Sequence, residues 1–155
     1  MGASVTVLEN SIMVKGVDRP KAVDVTTDIY PGYPTDLQAQ AIALLSIADG
    51  TSRVTDTIYS DRFAHVPELR RLGADIEMTA NVAAVKGVPK LQGACVRSKD
   101  LRASAALILA AIIAEGETHV THIHHLDRGY EQIEDKLRGL GVTVERMDDP
   151  NGEDT

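Results

Sequence analysis

The sequence predicts an α/β (α+β) protein that is built from a repeated β-α-β-α-β-β unit. Three observations lead to this prediction. A pattern of about 68 residues occurs twice along the chain, which is longer than the common solenoid repeats. Within each copy, apolar residues first recur at helical spacing and then alternate at strand spacing. Glycine follows the helical segments, and glycine is the residue that most often ends a helix.

The two copies align through most of their length. The segment TDLQAQAIALLSIADG returns as KDLRASAALILAAIIAEG, and GTSRVTDTIYSDR aligns without a gap on GETHVTHIHHLDR. Farther along the chain, LRRLGADIEM returns as LRGLGVTVER. We therefore expect one partial domain over residues 1–147, with copies at about 12–79 and 82–146 and a leading strand at 3–8.

The first copy contains two helices and several strands. A helix is predicted over 37–48, because it begins after Asp36 and ends at Gly50. Residues 52–58 alternate and are rich in β-branched side chains, which is typical of a strand. A second helix is predicted over 64–72, and short strands follow at 74–79, 82–86 and 92–97.

The second copy predicts the same kinds of element in the same order: a helix at 101–115, a strand at 117–123, a helix at 129–140 and a strand at 142–146. The tail 148–155 is acidic and contains proline and glycine, so we expect it to be disordered. The leading strand at 3–8 lacks the helix that precedes its counterpart. We therefore expect the chain to be a piece of a longer protein.

Composition restricts the possible functions. The chain has 155 residues and a net charge of −7, which argues against a non-specific nucleic-acid binder because a polyanion would be repelled. No run of 18 apolar residues and no apolar leader is present, so the sequence predicts neither a membrane span nor a secretory signal. A single cysteine, Cys95, excludes an internal disulfide and favours a cytoplasmic location.

Four motifs together resemble one family. PGYPTDLQAQ, DRFAHVPEL, KDLRASAALILA and HLDRGYEQIEDKLRGLG are similar to the C-terminal third of the UDP-N-acetylglucosamine 1-carboxyvinyltransferases, which are enolpyruvyl transferases. The resemblance covers roughly residues 2–147. It implies an inside-out α/β barrel, with helices inside and sheets outside, and an active site in the cleft between two domains. This chain would supply about two of the three units of one domain.

The resemblance also implies an activity. In the family, the enolpyruvyl group of phosphoenolpyruvate is transferred to the 3-hydroxyl of UDP-N-acetylglucosamine with release of phosphate, as the first committed step of peptidoglycan synthesis. No cofactor and no metal are implied. The implied partners are the two substrates and the missing N-terminal part of the enzyme, so we expect the chain alone to be inactive.

Two alternatives remain open at the level of the sequence. One is the shikimate-pathway enolpyruvyl transferase, which acts on a different alcohol. The other is a stand-alone or self-associating domain without catalysis, because a cleft enzyme that lacks one wall loses the positioning behind most of its rate. In either case, the face left by an absent unit is expected to be apolar and to drive formation of a homo-oligomer.

Asp36 is the candidate catalytic residue. An acid just before a helix is usually an N-cap, and the residue taken alone favours that interpretation. The resemblance implies instead that Asp36 binds the sugar 3-hydroxyl and acts as the general base. Such a base is needed because the hydroxyl must lose its proton as it attacks C2 of phosphoenolpyruvate.

Three arginines are the candidate anion-binding residues. Arg62, Arg102 and Arg128 each lie near the start of a predicted helix, where a cation opposes the helix dipole. The simple interpretation is that each arginine pairs with the acid that precedes it in the chain. The resemblance implies that Arg102 and Arg128 bind the anions of phosphoenolpyruvate and that Arg62 is a charged cleft residue. It further implies that the backbone of Ile58 contacts the nucleotide sugar.

Histidine and cysteine residues are given structural roles. Four histidines lie close together in THVTHIHH, and His122 and His124 would share one face of a predicted strand, which is the pattern that could suggest zinc. No cysteine accompanies them, so we favour no metal site. His65 is interpreted as a packed helix residue. Cys95 is interpreted as a small buried apolar residue, because it lies outside the family's reactive-cysteine loop.

Overall fold

A computed structural model describes residues 1–147 of the chain, so the predicted disorder of 148–155 lies outside the described residues. The helices are α1 (Gln38–Leu45), α2 (Val66–Arg71), α3 (Leu101–Ile113), α4 (His124–Asp127) and α5 (Ile133–Gly139). A 3-10 turn, Thr35–Leu37, precedes α1. The strands are β1 (Ser4–Val7), β2 (Ile12–Lys15), β3 (Val25–Thr26), β4 (Thr51–Thr55), β5 (Asp75–Thr79), β6 (Val82–Lys86), β7 (Leu91–Gln92), β8 (Cys95–Arg97), β9 (Ala114–Glu115) and β10 (His119–Thr121).

Sheet pairing combines antiparallel hairpins with parallel crossovers. The largest sheet has the strand order β3-β4-β6-β5, in which only β3 and β4 run parallel. Two hairpins, β1–β2 and β5–β6, are antiparallel. The pairs β7–β9 and β8–β10 are parallel, and α3 lies between the two strands of each pair in the chain, because parallel strands need a crossover connection. The α/β character predicted from the sequence is confirmed.

The core forms where α1 packs against α3 and against the inner face of the main sheet. Small residues recur at spacing four on the buried side of both helices: Ala39 and Ala43 on α1, and Ala106 and Ala110 on α3. That spacing places them on one helical face, where small side chains let two helix backbones approach closely. Larger residues complete the core, namely Ile42, Leu45, Val54, Leu69, Val85 and Leu107.

Positions that the sequence alignment equates have matching local geometry. The Arg70 Nε–H donates to the carbonyl of Ile76 over 2.8 Å, and the Arg138 Nε–H donates to the carbonyl of Val144 over 2.9 Å. Gly73 and Gly141, which follow these two helices, have φ angles of 89° and 88°. A positive φ is accessible to glycine at little cost, so the helices end in the same way in both copies.

The second copy departs from the prediction after residue 128. The expected helix 129–140 is replaced by the shorter α5, because Gln132 has a φ of 45° and interrupts the helical path. Gly129 lies so close to Leu101 that an added Cβ would come within 2.8 Å of its Cδ1. The predicted strand 142–146 is wrong. Its counterpart β5 is held by β6, whereas no strand lies beside 142–146 within residues 1–147.

Apolar side chains are exposed on two surfaces. The hairpin β1–β2 is exposed on both faces, with Val7 at 76% and Ile12 at 65%. The outer side of α3 exposes Leu109, Ile112 and Ile113, whose spacing forms one helical stripe. Of the helices between residues 1 and 147, none has the length and apolar character needed to cross a membrane.

His65 is a buried residue immediately before α2. The residue is 2% exposed, and the centroid of its ring lies 6.3 Å from that of the Phe63 ring. Burial lowers the pKa of His65 to about 4, although the charge of Asp100 acts in the opposite direction. The interpretation of His65 as a packed residue agrees with this burial. The neutral ring is therefore the form that the folded protein holds.

We expect the chain to lose stability between pH 6.5 and pH 4 because of His65. The unfolded chain binds a proton at the ordinary pKa of 6.5, whereas the folded chain binds it only near 4, so protons favour unfolding across this window. The lost free energy of unfolding is about 3 kcal/mol by pH 4. Urea unfolding at several pH values measures it.

The control for this prediction is His65→Leu, which keeps an apolar side chain in place but cannot bind a proton. In this variant the decline between pH 6.5 and pH 4 should be much shallower. An equal decline in both proteins would show that another group controls acid stability.

Candidate active site

Asp36 lies in the 3-10 turn that leads into α1. The turn is preceded by Pro34, and no side chain caps either the turn or α1. The interpretation of Asp36 as an N-cap is therefore wrong. Because Asp36 is not engaged with the helix backbone, its carboxylate points to other side chains, and 60% of the side chain is exposed.

Two arginines converge on one oxygen of Asp36. The Nε–H of Arg102 donates to Oδ1 over 2.5 Å, and Nη1 of Arg62 donates to the same oxygen over 3.2 Å. The hydrogen bond from Arg102 is the main cause that lowers the pKa of Asp36; burial acts in the opposite direction, and the charges of Arg102 and Arg62 add to the lowering. Within residues 1–147, no hydrogen bond reaches Oδ2. The carboxylate is thus charged, held on one side and open on the other.

The simple pairing of each arginine with its preceding acid is not observed. Asp100 caps α3 by accepting hydrogen bonds from the N–H groups of Arg102 and Ala103. Asp127 pairs instead with Arg146, at 2.7 and 3.0 Å. Asp61 forms no ion pair in the part of the chain that the structure describes. Two of the three arginines therefore turn away from their sequence neighbours and toward Asp36.

Only one of the three arginines lies at the start of a helix. Arg102 is the second residue of α3, whereas Arg62 lies in the loop before α2 and Arg128 directly follows α4. Since Asp100 accepts hydrogen bonds from two of the first N–H groups of α3, those donors are already satisfied. The positive charge at this place comes from the guanidinium groups.

Arg128 is not part of the cluster around Asp36. Its side chain is exposed and makes no hydrogen bond or ion pair among residues 1–147. The adjacent Gly129 nevertheless touches Leu101, the residue before Arg102. Arg128 thus lies near the same end of α3 without sharing the contacts of Arg62 and Arg102.

Ile58 lies in the loop between β4 and Arg62. Its N–H donates to Oδ1 of Asp56 over 2.9 Å, and its side chain is partly exposed. Because this N–H is occupied, a backbone contact between Ile58 and a ligand has only the carbonyl available.

The sequence reasoning missed three residues that hold this site. Asp56 is fully buried and accepts four hydrogen bonds, one of which comes from Thr35, the neighbour of Asp36. Tyr59 lies beneath Arg62, with the guanidinium carbon 4.0 Å from the ring centroid. A signal for Asp56 was present, since strand alternation places it on the inward face with Ser52 and Val54. The alternation therefore predicts that the Asp56 carboxylate is buried.

The histidines and Cys95 lie apart from this cluster. His122 has a φ of 58° and His124 lies in α4, so the two do not share a strand face as expected. No group of three or more residues able to hold a metal ion occurs within residues 1–147. Cys95 is exposed, so its interpretation as a buried residue is wrong. On β8 the inward position belongs to Val96.

Comparison with known proteins places this geometry in a family. A family profile described as EPSP synthase (3-phosphoshikimate 1-carboxyvinyltransferase) matches residues 1–137. The chain belongs to this family. The UDP-N-acetylglucosamine 1-carboxyvinyltransferase of Anaeromyxobacter sp. (strain K) is 55% identical over 147 residues, which are 95% of this chain and 35% of the relative. That of Thermotoga maritima is 52% identical over 150 residues, covering 97% of this chain and 36% of the relative.

Solved structures agree with the family assignment. The enolpyruvyl transferase NikO from Streptomyces tendae matches with a TM-score of 0.84 and 31% identity, over 94% of this chain and 34% of that protein. EPSP synthase from Acinetobacter baumannii matches with a TM-score of 0.66 at 19% identity, over 95% of this chain and 35% of that protein, which bears on the fold alone. The predicted resemblance to enolpyruvyl transferases is confirmed. The chain spans about a third of the length of the curated relatives it matches.

We expect Arg102→Gln to raise the pKa of Asp36, because the hydrogen bond from Arg102 is the largest cause of its lowering. Arg62→Gln should raise it less. Carbon-13 NMR titration of the Asp36 carboxyl measures both shifts. Arg53→Gln, which removes an exposed arginine of β4 whose side chain makes no hydrogen bond to Asp36 among residues 1–147, is the matched control and should leave the titration unchanged. An unaltered Asp36 titration in Arg102→Gln would contradict the ion pair.

Proposed function

We propose that this chain carries one wall of the active site of an enolpyruvyl transferase. The whole enzyme transfers the enolpyruvyl group of phosphoenolpyruvate to the 3-hydroxyl of UDP-N-acetylglucosamine and releases phosphate. Asp36 is the general base, and Arg102 and Arg128 bind the anions of phosphoenolpyruvate. Arg62 and the backbone carbonyl of Ile58 complete the sugar side of the cleft.

The observation that carries this proposal is that only one oxygen of the Asp36 carboxylate is engaged. Arg62 and Arg102 hold Oδ1, whereas no hydrogen bond reaches Oδ2 among residues 1–147 and 60% of the side chain is exposed, so a substrate hydroxyl can donate to Oδ2. The same two guanidinium groups supply several N–H donors for a carboxylate or a phosphate. A base beside cationic groups suits a reaction in which an alcohol attacks a doubly anionic substrate.

The proposed reaction proceeds by addition and elimination. As the 3-hydroxyl oxygen bonds to C2 of phosphoenolpyruvate, its proton passes to Asp36, and C3 gains a proton from an acid in the remainder of the enzyme. The tetrahedral intermediate then loses a C3 proton and phosphate, which restores the double bond. The arginines offset negative charge throughout these steps.

Binding of phosphoenolpyruvate also changes the strength of the base. In the described structure the arginines lower the pKa of Asp36, which makes it a weak proton acceptor. An arginine that moves from Asp36 to the incoming anions removes part of that effect. The pKa of Asp36 then rises toward its ordinary value when the alcohol must be deprotonated.

The choice of alcohol follows the more similar relatives. Those at 51–55% identity are named UDP-N-acetylglucosamine 1-carboxyvinyltransferase. The 3-phosphoshikimate enzyme is named in the description of the family profile and among structures at 19% identity, which support the fold alone. We therefore favour the UDP-sugar over 3-phosphoshikimate. A role in peptidoglycan synthesis and a cytoplasmic location, which the single Cys95 favours, belong to the same proposal.

The activity test mixes this chain with the separately produced remainder of a related enzyme and follows phosphate release. We expect release only when the chain, the remainder, phosphoenolpyruvate and UDP-N-acetylglucosamine are all present, and none from the chain alone. Asp36→Asn should reduce the rate by about a hundredfold or more, as loss of a general base does. Asp75→Asn, a partly exposed acid of β5, is the control and should retain activity.

Two outcomes would contradict the proposal. Phosphate release with 3-phosphoshikimate but not with UDP-N-acetylglucosamine would show that the enzyme acts on 3-phosphoshikimate. Full activity of Asp36→Asn would exclude Asp36 as the base.

The exposed stripe of α3 gives a proposal about partners. Leu109, Ile112 and Ile113 form a continuous apolar row that the remainder of the relatives, about two thirds of their length, could cover. Separated from it, the chain should self-associate through this row. Light scattering across a concentration series should therefore give a mass above that of the monomer.

Leu109→Lys combined with Ile113→Lys should return the chain to a monomer, because two charges then lie within the apolar row. Leu140→Lys, which changes an isolated exposed leucine, is the matched control and should not. A parent chain that remains monomeric at high concentration would refute self-association.

A further inference from the structure

We propose that Asp56 is a positioning residue, which orients Arg62 onto Asp36 through the hydroxyl of Thr35 and the ring of Tyr59. Within residues 1–147, Asp56 itself makes no hydrogen bond to Asp36 or to Arg62. The inference rests on the proposed function only in that Asp36 is the base whose surroundings are being ordered.

The first route runs through the Thr35 hydroxyl. This hydroxyl lies 2.7 Å from Oδ2 of Asp56 and 3.2 Å from Nη1 of Arg62. A carboxylate can only accept and a guanidinium can only donate. The single hydrogen of the hydroxyl must therefore point to Asp56, and its lone pairs must face Arg62. The charge of Asp56 thus fixes the direction in which Thr35 accepts.

The consequence for Arg62 is a defined orientation. Nη1 carries two hydrogens, and it has two acceptors at the same distance of 3.2 Å, Thr35 Oγ1 and Asp36 Oδ1. Because one hydrogen is directed to Thr35, the other is directed to Asp36. Thr35 and Asp36 are adjacent residues, so both contacts move together with the 3-10 turn.

The second route runs through Tyr59. Its N–H donates to Oδ1 of Asp56 over 2.9 Å, which holds the loop beneath Arg62. The guanidinium carbon lies 4.0 Å from the centre of the Tyr59 ring, within the range of a cation–π contact. One carboxylate therefore fixes both the hydroxyl and the ring that surround this guanidinium.

Asp56 is well anchored for this task. Its backbone N–H donates to the carbonyl of Asn81, and the Asn81 side-chain amide donates back to the carbonyl of Asp56. The Thr27 hydroxyl donates to Oδ1 over 2.8 Å. Burial alone raises the pKa of Asp56, but the hydrogen bonds from Tyr59, Thr35, Thr27 and Ile58 outweigh it and lower the pKa overall. The buried group is therefore a charged acceptor.

The test uses NMR of the 155-residue chain without substrates. The Nη1 hydrogens of Arg62 should exchange with water about tenfold faster in Thr35→Val, because the hydrogen bond from Nη1 to the Thr35 hydroxyl is lost. Asp56→Asn should act in the same direction, since an amide facing Thr35 donates to the hydroxyl and removes its defined direction. In both variants the pKa of Asp36 should rise, because Arg62 contributes to lowering it.

Two controls separate orientation from general stability. Thr35→Ser retains the hydroxyl and should restore the exchange rate of the parent. Thr57→Val removes a nearby hydroxyl that donates to the carbonyl of Thr27 and not to Arg62, so it should leave Arg62 unchanged. Thermal unfolding of each variant confirms that exchange is compared between folded proteins.

Each outcome decides the proposal. If Asp56→Asn does not fold, Thr35→Val with its serine rescue decides alone. Unchanged Arg62 exchange in folded Thr35→Val would overturn the proposal, as would equal acceleration in Thr57→Val. Because no substrate is used, these results do not depend on whether the chain proves to belong to a transferase of UDP-sugars.

Discussion

The close packing of α1 against α3 is the constraint on which the rest of the structure depends. Alanines at spacing four on both helices permit the approach, and larger residues fill the space around them. The N-terminal ends of the two helices carry Asp36 and Arg102, residues 66 positions apart in the chain. A core made of small side chains therefore decides whether the acid and the arginine can meet.

The equivalent helices of the two copies, α1 and α3, begin in different ways. Asp36 and Asp100 occupy matching places in TDLQAQ and KDLRAS. Asp100 caps α3, whereas Asp36 lies within the 3-10 turn before α1, caps no helix and accepts hydrogen bonds from two arginines. One acid stabilises a helix and the other is available for chemistry. The difference lies in one turn of backbone and not in residue type.

Much of the fold could be predicted because it depends on local pattern. Apolar periodicity located α1, α3 and the hairpin β5–β6 to within a few residues. The motif resemblance identified the family. The failures have tertiary causes: Gln132 and Gly129 divide the last helix, and 142–146 lacks the neighbouring strand that holds its counterpart. Strand pairing is a long-range property that a single segment does not contain.

In the site, too, motifs identified some residues correctly, whereas contacts that depend on tertiary structure were not predicted. Asp36, Arg62 and Arg102 were chosen by motif, and the structure brings these three together. Arg128 was chosen on the same ground but lies outside the cluster. The interpretation of each arginine as the partner of its preceding acid failed, because chain proximity does not determine side-chain direction. Asp56 was overlooked, although it directly follows β4 and the alternation of that strand predicts its inward position.

The unequal anchoring of the two arginines has a consequence for ionic strength. The side chain of Arg62 is 23% exposed and is held by Thr35, Tyr59 and Asp36. That of Arg102 is 36% exposed, and its side-chain hydrogen bonds among residues 1–147 go to Asp36 alone. Dissolved ions screen exposed charge pairs more than sheltered ones. Rising salt should therefore loosen Arg102 first. At high salt concentration, Arg62 would stay in place while Arg102 would become mobile.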